Sequence, residues 1–138
     1  MLKRISHVAF AVVNLDRACE FYRDVMGAEV TGRKIVPEQK VEVAFVQLGG
    51  TAKLELLAPT SEDSAVGKFL AKHGPGIHHI CFEVDGLQQK LEFLADHGVK
   101  LVDTKPRRGA EGDQIAFLHP TSTLGALIEL SEDGKSSN

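Results

Sequence analysis

His7-Val8-Ala9-Phe10-Ala11-Val12-Val13-Asn14-Leu15 returns further along the chain as His79-Ile80-Cys81-Phe82-Glu83-Val84-Asp85-Gly86-Leu87. Both stretches read histidine, β-branched, small, phenylalanine, any, valine, any, any, leucine, and the second begins 72 residues after the first (7 to 79). The same offset carries Ala44-Phe45-Val46 onto Ala116-Phe117-Leu118, and an offset of 74 (54 to 128) carries Leu54-Glu55-Leu56 onto Ile128-Glu129-Leu130. Gly27 and Gly98 punctuate the two stretches at nearly the same place. Each match alone is weak. Their common order and near-constant offset mark the duplication of a unit of roughly 55 residues, longer than most solenoid repeats.

Each copy has the same internal pattern. Residues 4–13 are apolar and β-branched, which predicts a strand. Asn14 or Asp16 then starts a helix that runs to about Met26, with Ala18, Phe21, Tyr22 and Val25 at helical spacing and Gly27 as its stop. Strands follow near 28–36, 40–48 and 51–58. The second copy predicts a strand at 77–84, a helix at about 86–97 stopped by Gly98, and strands near 99–104, 113–119 and 124–131. The fold class is therefore α+β. Two tandem βαβββ modules, about 4–58 and 77–131, form one domain over 1–138 with a curved eight-stranded sheet. The connector 59–76 holds a short helix near 64–72, and the polar tail 132–138 is expected to be disordered.

Composition narrows the partners. The 138 residues carry 25% charged side chains and a net charge of −3, which gives no bulk attraction to nucleic acid or anionic membrane. No run approaches the ~20 apolar residues of a membrane span. Met1-Leu2-Lys3-Arg4 leads straight into an apolar run, so no targeting peptide is expected and the chain is read as cytoplasmic. Cys19 and Cys81 lie far apart and read as free thiols of a reducing compartment.

Side chains on a strand alternate faces. His7 thus shares a face with Ala9 and Ala11, and His79 shares one with Cys81 and Glu83. Glu55 stands between Leu54 and Leu56, and Glu129 between Ile128 and Leu130. A single strand histidine is ordinarily a hydrogen-bonded structural residue, and glutamate is disfavoured in mid-strand. Two histidines and two glutamates at equivalent places of a repeat are harder to explain structurally. If the copies pack about a pseudo-twofold axis, the four converge as a mixed N/O set suited to a divalent first-row metal. Cysteine-rich zinc spacing is absent.

The tandem βαβββ pattern with His7, Glu55, His79 and Glu129 resembles the vicinal-oxygen-chelate superfamily over nearly the whole chain. Ser6-His7-Val8-Ala9, Glu20-Phe21-Tyr22-Arg23, Leu54-Glu55-Leu56-Leu57-Ala58-Pro59, Gly76-Ile77-His78-His79-Ile80 and Gly109-Ala110-x-Gly112 before Ala116-Phe117-Leu118-His119-Pro120 are similar to the methylmalonyl-CoA epimerases. The second ligand is Gln in some of those enzymes. Glu55 gives the all-His/Glu set also seen in bacterial glyoxalase I.

The resemblance implies a metal-binding cleft in which His7, Glu55, His79 and Glu129 hold one divalent ion, cobalt(II) first, with manganese, nickel or zinc as alternatives. It implies epimerisation of methylmalonyl-CoA at C2 by 1,1-proton transfer through a metal-stabilised enolate. Glu42 and Glu129 would be the catalytic acid/base residues, and a homodimer would be the assembly. Glu42 shares a strand face with Ala44 and Val46, so the resemblance implies a cavity-facing place for it, whereas the residues alone favour an edge-strand carboxylate facing water; its repeat equivalent is Gln114. The alternatives are a lactoylglutathione lyase (glyoxalase I) type isomerase with the same ligands, an Fe(II) extradiol dioxygenase in which Glu55 is superfluous, and a non-catalytic binding protein lacking ligands.

Among the remaining histidines, His78 points away from the ligand face, His119 is divided between pocket shaping and turn structure, and His73 and His97 read as surface residues. Lys105-Pro106-Arg107-Arg108 is a basic loop that could meet the phosphates of CoA, though short basic runs are more often solvated.

Overall fold

The alternating apolar pattern resolves into eight strands and three α-helices in a computed structural model that describes residues 2–133. In chain order these are β1 (Leu2–Ala11), α1 (Leu15–Glu20), β2 (Glu29–Val36), β3 (Val41–Gln47), β4 (Lys53–Pro59), α2 (Ala65–His73), β5 (Gly76–Val84), α3 (Leu87–Asp96), β6 (Arg107–Arg108), β7 (Gln114–Leu118) and β8 (Ile128–Glu132). The βαβββ order expected of each copy is present. Spatially the chain divides at the two repeat histidines: one compact unit spans His7–His78, and the other takes the chain up to Ser6 and resumes at His79. Strand β1 thus changes unit in mid-course, which a boundary at residue 4 did not anticipate.

In the His7–His78 unit the strand order is β2-β3-β4-β1. β1 runs parallel to β4, with Ala9 opposite Glu55, and β3 runs antiparallel to β4, with Phe45 opposite Glu55. One face of this sheet packs on α1. Leu15 and Cys19 of the helix cluster with Ala44, Val46, Leu54, Leu56 and Ala58, all buried. The Asn14 side chain accepts the Arg17 N–H at 3.0 Å and starts the helix. The predicted single helix to Met26 proves composite: after Glu20 it widens into a π-turn, Phe21–Val25, closed by the Met26 N–H donating to the Phe21 carbonyl five residues back.

In the other unit the order is β1-β5-β8-β7-β6. β5 is parallel to β8, placing Cys81 opposite Glu129, and β7 is antiparallel to β8, placing Phe117 opposite Glu129. The helix-side core is Val84, Leu87, Leu91, Ala116, Leu118 and Leu130.

Three expectations here are corrected. The strand expected at 99–104 is absent as a ladder. Leu101 makes only an isolated bridge to Leu118, and the Asp103 carboxylate takes the Phe117 N–H at 2.9 Å, so a side chain replaces a ladder bond. The short strand falls at Arg107–Arg108 instead. The last strand begins at Ile128 rather than 124, because Leu124 adopts φ 64, in the left-handed region that ends extended structure. Glu132, assigned to the tail, belongs to β8, and its carboxylate accepts the Gly86 and Leu87 N–H groups at 2.6 and 3.1 Å. Residues 134–138 of the expected tail lie outside the described residues.

Candidate metal centre

The register sorts the site residues by face. In the His7–His78 unit, Glu55 has the opposite parity to Leu54 and Leu56, so it faces away from α1, as does His7. Both are buried, at 7% and 5% exposure, and His7 Nδ1 lies 3.3 Å from Glu55 Oε2. The other unit repeats the arrangement. His79 and Glu129 are buried at 6% and 4%, with His79 Nε2 3.0 Å from Glu129 Oε1. The expected ligands are therefore brought together as two buried His–Glu pairs.

Burial of an imidazole against a carboxylate has a desolvation cost that a shared cation would offset. Two donors bound cis to one ion at ordinary metal–ligand lengths stand about 3.0–3.4 Å apart. Both pairs fall in that range, so spacing and donor type fit a divalent first-row ion with mixed N/O ligands. Cys81 adds a further donor on the same face as His79. It is fully buried, with Sγ within 4.8 Å of a Glu129 carboxylate oxygen. Sequence reasoning placed Cys81 on this face but gave it no part. The ring of Phe117 meets the His79 ring edge-on at 5.2 Å and was also not singled out.

Glu42 is elsewhere. Its register partner on β4 is Ala58, and it shares parity with Ala44 and Val46, which pack on α1. It therefore lies on the face opposite Glu55, and the cavity-facing place expected for it is corrected. Arg33 holds it there, Nε and Nη2 each donating to a Glu42 oxygen at 3.2 Å. Arg33 also donates to Asp16 at the start of α1. Hydrogen bonds to Asp16 and then Glu42 hold the Arg33 guanidinium well above its ordinary pKa. Glu42 thus joins β3 to β2 and, through Arg33, to α1.

Of the other histidines, His78 packs edge-on against Phe69 of α2 at 5.0 Å, and exposed His97 stacks on Phe93 at 4.0 Å. His119 Nδ1 accepts the Thr121 N–H at 3.2 Å and so serves the turn at Pro120–Ser122. Glu83 is buried on the His79 face, where Arg4 Nε approaches it to 2.5 Å.

A family model described as the glyoxalase/bleomycin resistance protein/dioxygenase superfamily matches residues 6–117. The mitochondrial methylmalonyl-CoA epimerase of Bos taurus is 41% identical over 95% of this chain and 75% of its own length. The ethylmalonyl-CoA/methylmalonyl-CoA epimerase of Cereibacter sphaeroides is 40% identical over 96% of this chain and 99% of its own. The chain belongs to the methylmalonyl-CoA epimerase family. A solved structure of a methylmalonyl-CoA epimerase in complex with methylmalonyl-CoA and NH4+ superposes with a TM-score of 0.92 at 42% identity, covering 97% of this chain and 96% of that one. The expected vicinal-oxygen-chelate fold is therefore the fold of this chain. Among the described residues no helix is long and apolar enough to cross a membrane.

Proposed function

We propose that this protein is a metal-dependent epimerase that interconverts the C2 epimers of methylmalonyl-CoA. The observation that carries this reading is the duplicated buried His–Glu pair, His7 with Glu55 and His79 with Glu129, in a chain of the epimerase family. These four residues would hold one divalent ion, cobalt(II) by preference. Such an ion would act as a Lewis acid, favouring the charge that gathers on the thioester oxygen when C2 is deprotonated. The assembly is taken to be a homodimer, by resemblance.

The protein's own groups handle the proton. Epimerisation breaks the C2–H bond, leaves its electron pair in the planar enolate, and delivers a proton to the opposite face. With Glu42 on the helix side, Glu129 is the ligand-face carboxylate proposed for one proton transfer, and Glu55, a position where some epimerases carry Gln, is proposed for the other in this chain. One removes the proton and the other returns one, and each such group contributes about 10²–10⁴-fold. Burial of both carboxylates keeps water from competing for the enolate.

The test is incubation of metal-loaded protein with single-epimer methylmalonyl-CoA in D₂O, following loss of the C2 proton and epimer composition. A chelated sample and the glutathione–methylglyoxal adduct run alongside. Metal-dependent epimerisation with deuterium at C2 supports the reading. Glu129→Gln should lower kcat by about 10² or more, and Glu55→Gln should slow interconversion more than exchange from one epimer. Turnover of the glutathione adduct alone would move the protein to the lactoylglutathione lyases.

A further inference from the structure

Beyond the His79–Glu129 pair, the same sheet face carries a cation at its β6 edge. Arg107 on β6 pairs in register with Ile115 of β7, which shares parity with Phe117, while Arg108 pairs with Gln114 and faces the other way. The Arg107 guanidinium lies over the Phe117 ring at 5.4 Å, and that ring meets His79 edge-on at 5.2 Å. Asp103 holds the arrangement from two sides: Oδ1 accepts from Arg107 Nε at 3.1 Å and Oδ2 accepts the Phe117 N–H at 2.9 Å. Arg107 remains 41% exposed, while the Asp103 beneath it is 18% exposed. A guanidinium offers five N–H donors in a planar fork, and Asp103 takes the one on Nε. The next donors along the face are the terminal amino groups.

We infer that Arg107 is a specificity residue that binds an anionic oxygen of the acyl-CoA thioester, reaching the substrate from the far side of Phe117. This rests on the epimerase reading. Two parts of such a substrate supply that chemistry, the acyl carboxylate and the phosphates of CoA. Arg108, adjacent in sequence, is excluded by its parity. Charge-assisted hydrogen bonds to a planar fork are among the stronger polar contacts a site can make.

The experiment compares wild type with Arg107→Met, which keeps an apolar stem on Phe117, and Arg107→Lys, which keeps the charge without the fork. Substrates are methylmalonyl-CoA and methylmalonyl-pantetheine, which lacks the phosphates. Arg107→Met should raise KM for methylmalonyl-CoA about tenfold to a hundredfold, with kcat changed less than about threefold and Tm unchanged. Arg107→Lys should fall between. A KM effect confined to methylmalonyl-CoA identifies the phosphates as the anion; an effect on both substrates identifies the carboxylate. Unchanged KM for both overturns the inference and leaves Arg107 as the ion-pair partner of Asp103. Should the wild type epimerise neither substrate, the epimerase reading fails separately. Calorimetric titration with coenzyme A and with malonyl-pantetheine then decides: weaker binding to Arg107→Met supports the inference, and equal affinity for both probes overturns it.

Discussion

Glu42 and Glu55 stand on paired antiparallel strands and face opposite ways. Glu55 is buried beside His7, whereas Glu42 lies on the α1 side in the grip of Arg33. The residues differ in role because their register differs, not their chemistry. Glu42→Gln should therefore leave kcat within about threefold of wild type. It should lower stability by at most about 1 kcal/mol, the range of partly exposed ion pairs, measured by urea denaturation. A large loss of kcat with unchanged stability would return Glu42 to the reaction. At this scale the candidate ligands were readable from the repeat, because histidine and glutamate in mid-strand stand out against apolar neighbours. The side faced by Glu42 was not. Both faces of β3 are apolar, with Val41, Val43 and Phe45 on one and Ala44 and Val46 on the other. Parity alone could not say which of them the helix covers.

Elements are tied together by side chains remote in sequence. Gly86 precedes α3 at φ 62 and offers no capping side chain, so the first helical N–H groups depend on Glu132 from the end of β8. Carboxylates at a helix N-terminus also meet the positive end of its dipole. Glu132→Ala should cost about 1 kcal/mol, within the 0.5–2 range of lost N-caps, and Glu132→Gln should cost less. Thermal or urea unfolding would measure both, and a neutral Glu132→Ala would show that solvent replaces the cap. The hairpin β6–β7 is set by glycine: a Cβ at Gly109 would come within 2.8 Å of Ile115 Cγ2 and 2.9 Å of Asp113 Oδ1, and Gly112 has φ +85.

A second tie joins the loop before α2 to the turn before β3. Lys40 donates to Asp63 at 2.7 Å and Ser61 donates to its other oxygen, which lowers the Asp63 carboxyl to about 2. A depressed carboxyl contributes stability above its unfolded value of 3.8 and loses it as pH falls toward about 2. Asp63→Asn should flatten the acid limb of the stability profile in that window. An NMR titration of wild-type Asp63 near 3.8 would remove the basis for this.

For the whole molecule, the proposed ion links folding to ligand deprotonation, since the imidazoles must be neutral and the carboxylates ionised to bind it. Metal that binds only the folded chain should stabilise it by about 2.7 kcal/mol at a free concentration a hundred times Kd. A scan of Tm against cobalt(II), with chelator as the reference, should show that dependence at pH 7 and lose it in His79→Ala. A Tm indifferent to divalent ions in wild type would count against the four-residue centre.

The sequence by itself determined the duplicated βαβββ pattern, the strand parity of each candidate ligand and the chemistry of the donor set. These are properties of period, spacing and residue type, and they survive in a one-dimensional string. Only the tertiary structure decided which face each helix covers, and so placed Glu42 with α1. It alone showed that Glu132 caps α3, that Asp103 displaces a strand, and that Arg107 rather than Arg108 shares the face of His79. Those outcomes depend on pairing register between strands and on hydrogen bonds that span from 14 to 46 residues of chain. No local pattern encodes such contacts, because each arises where two distant segments compete for the same backbone groups.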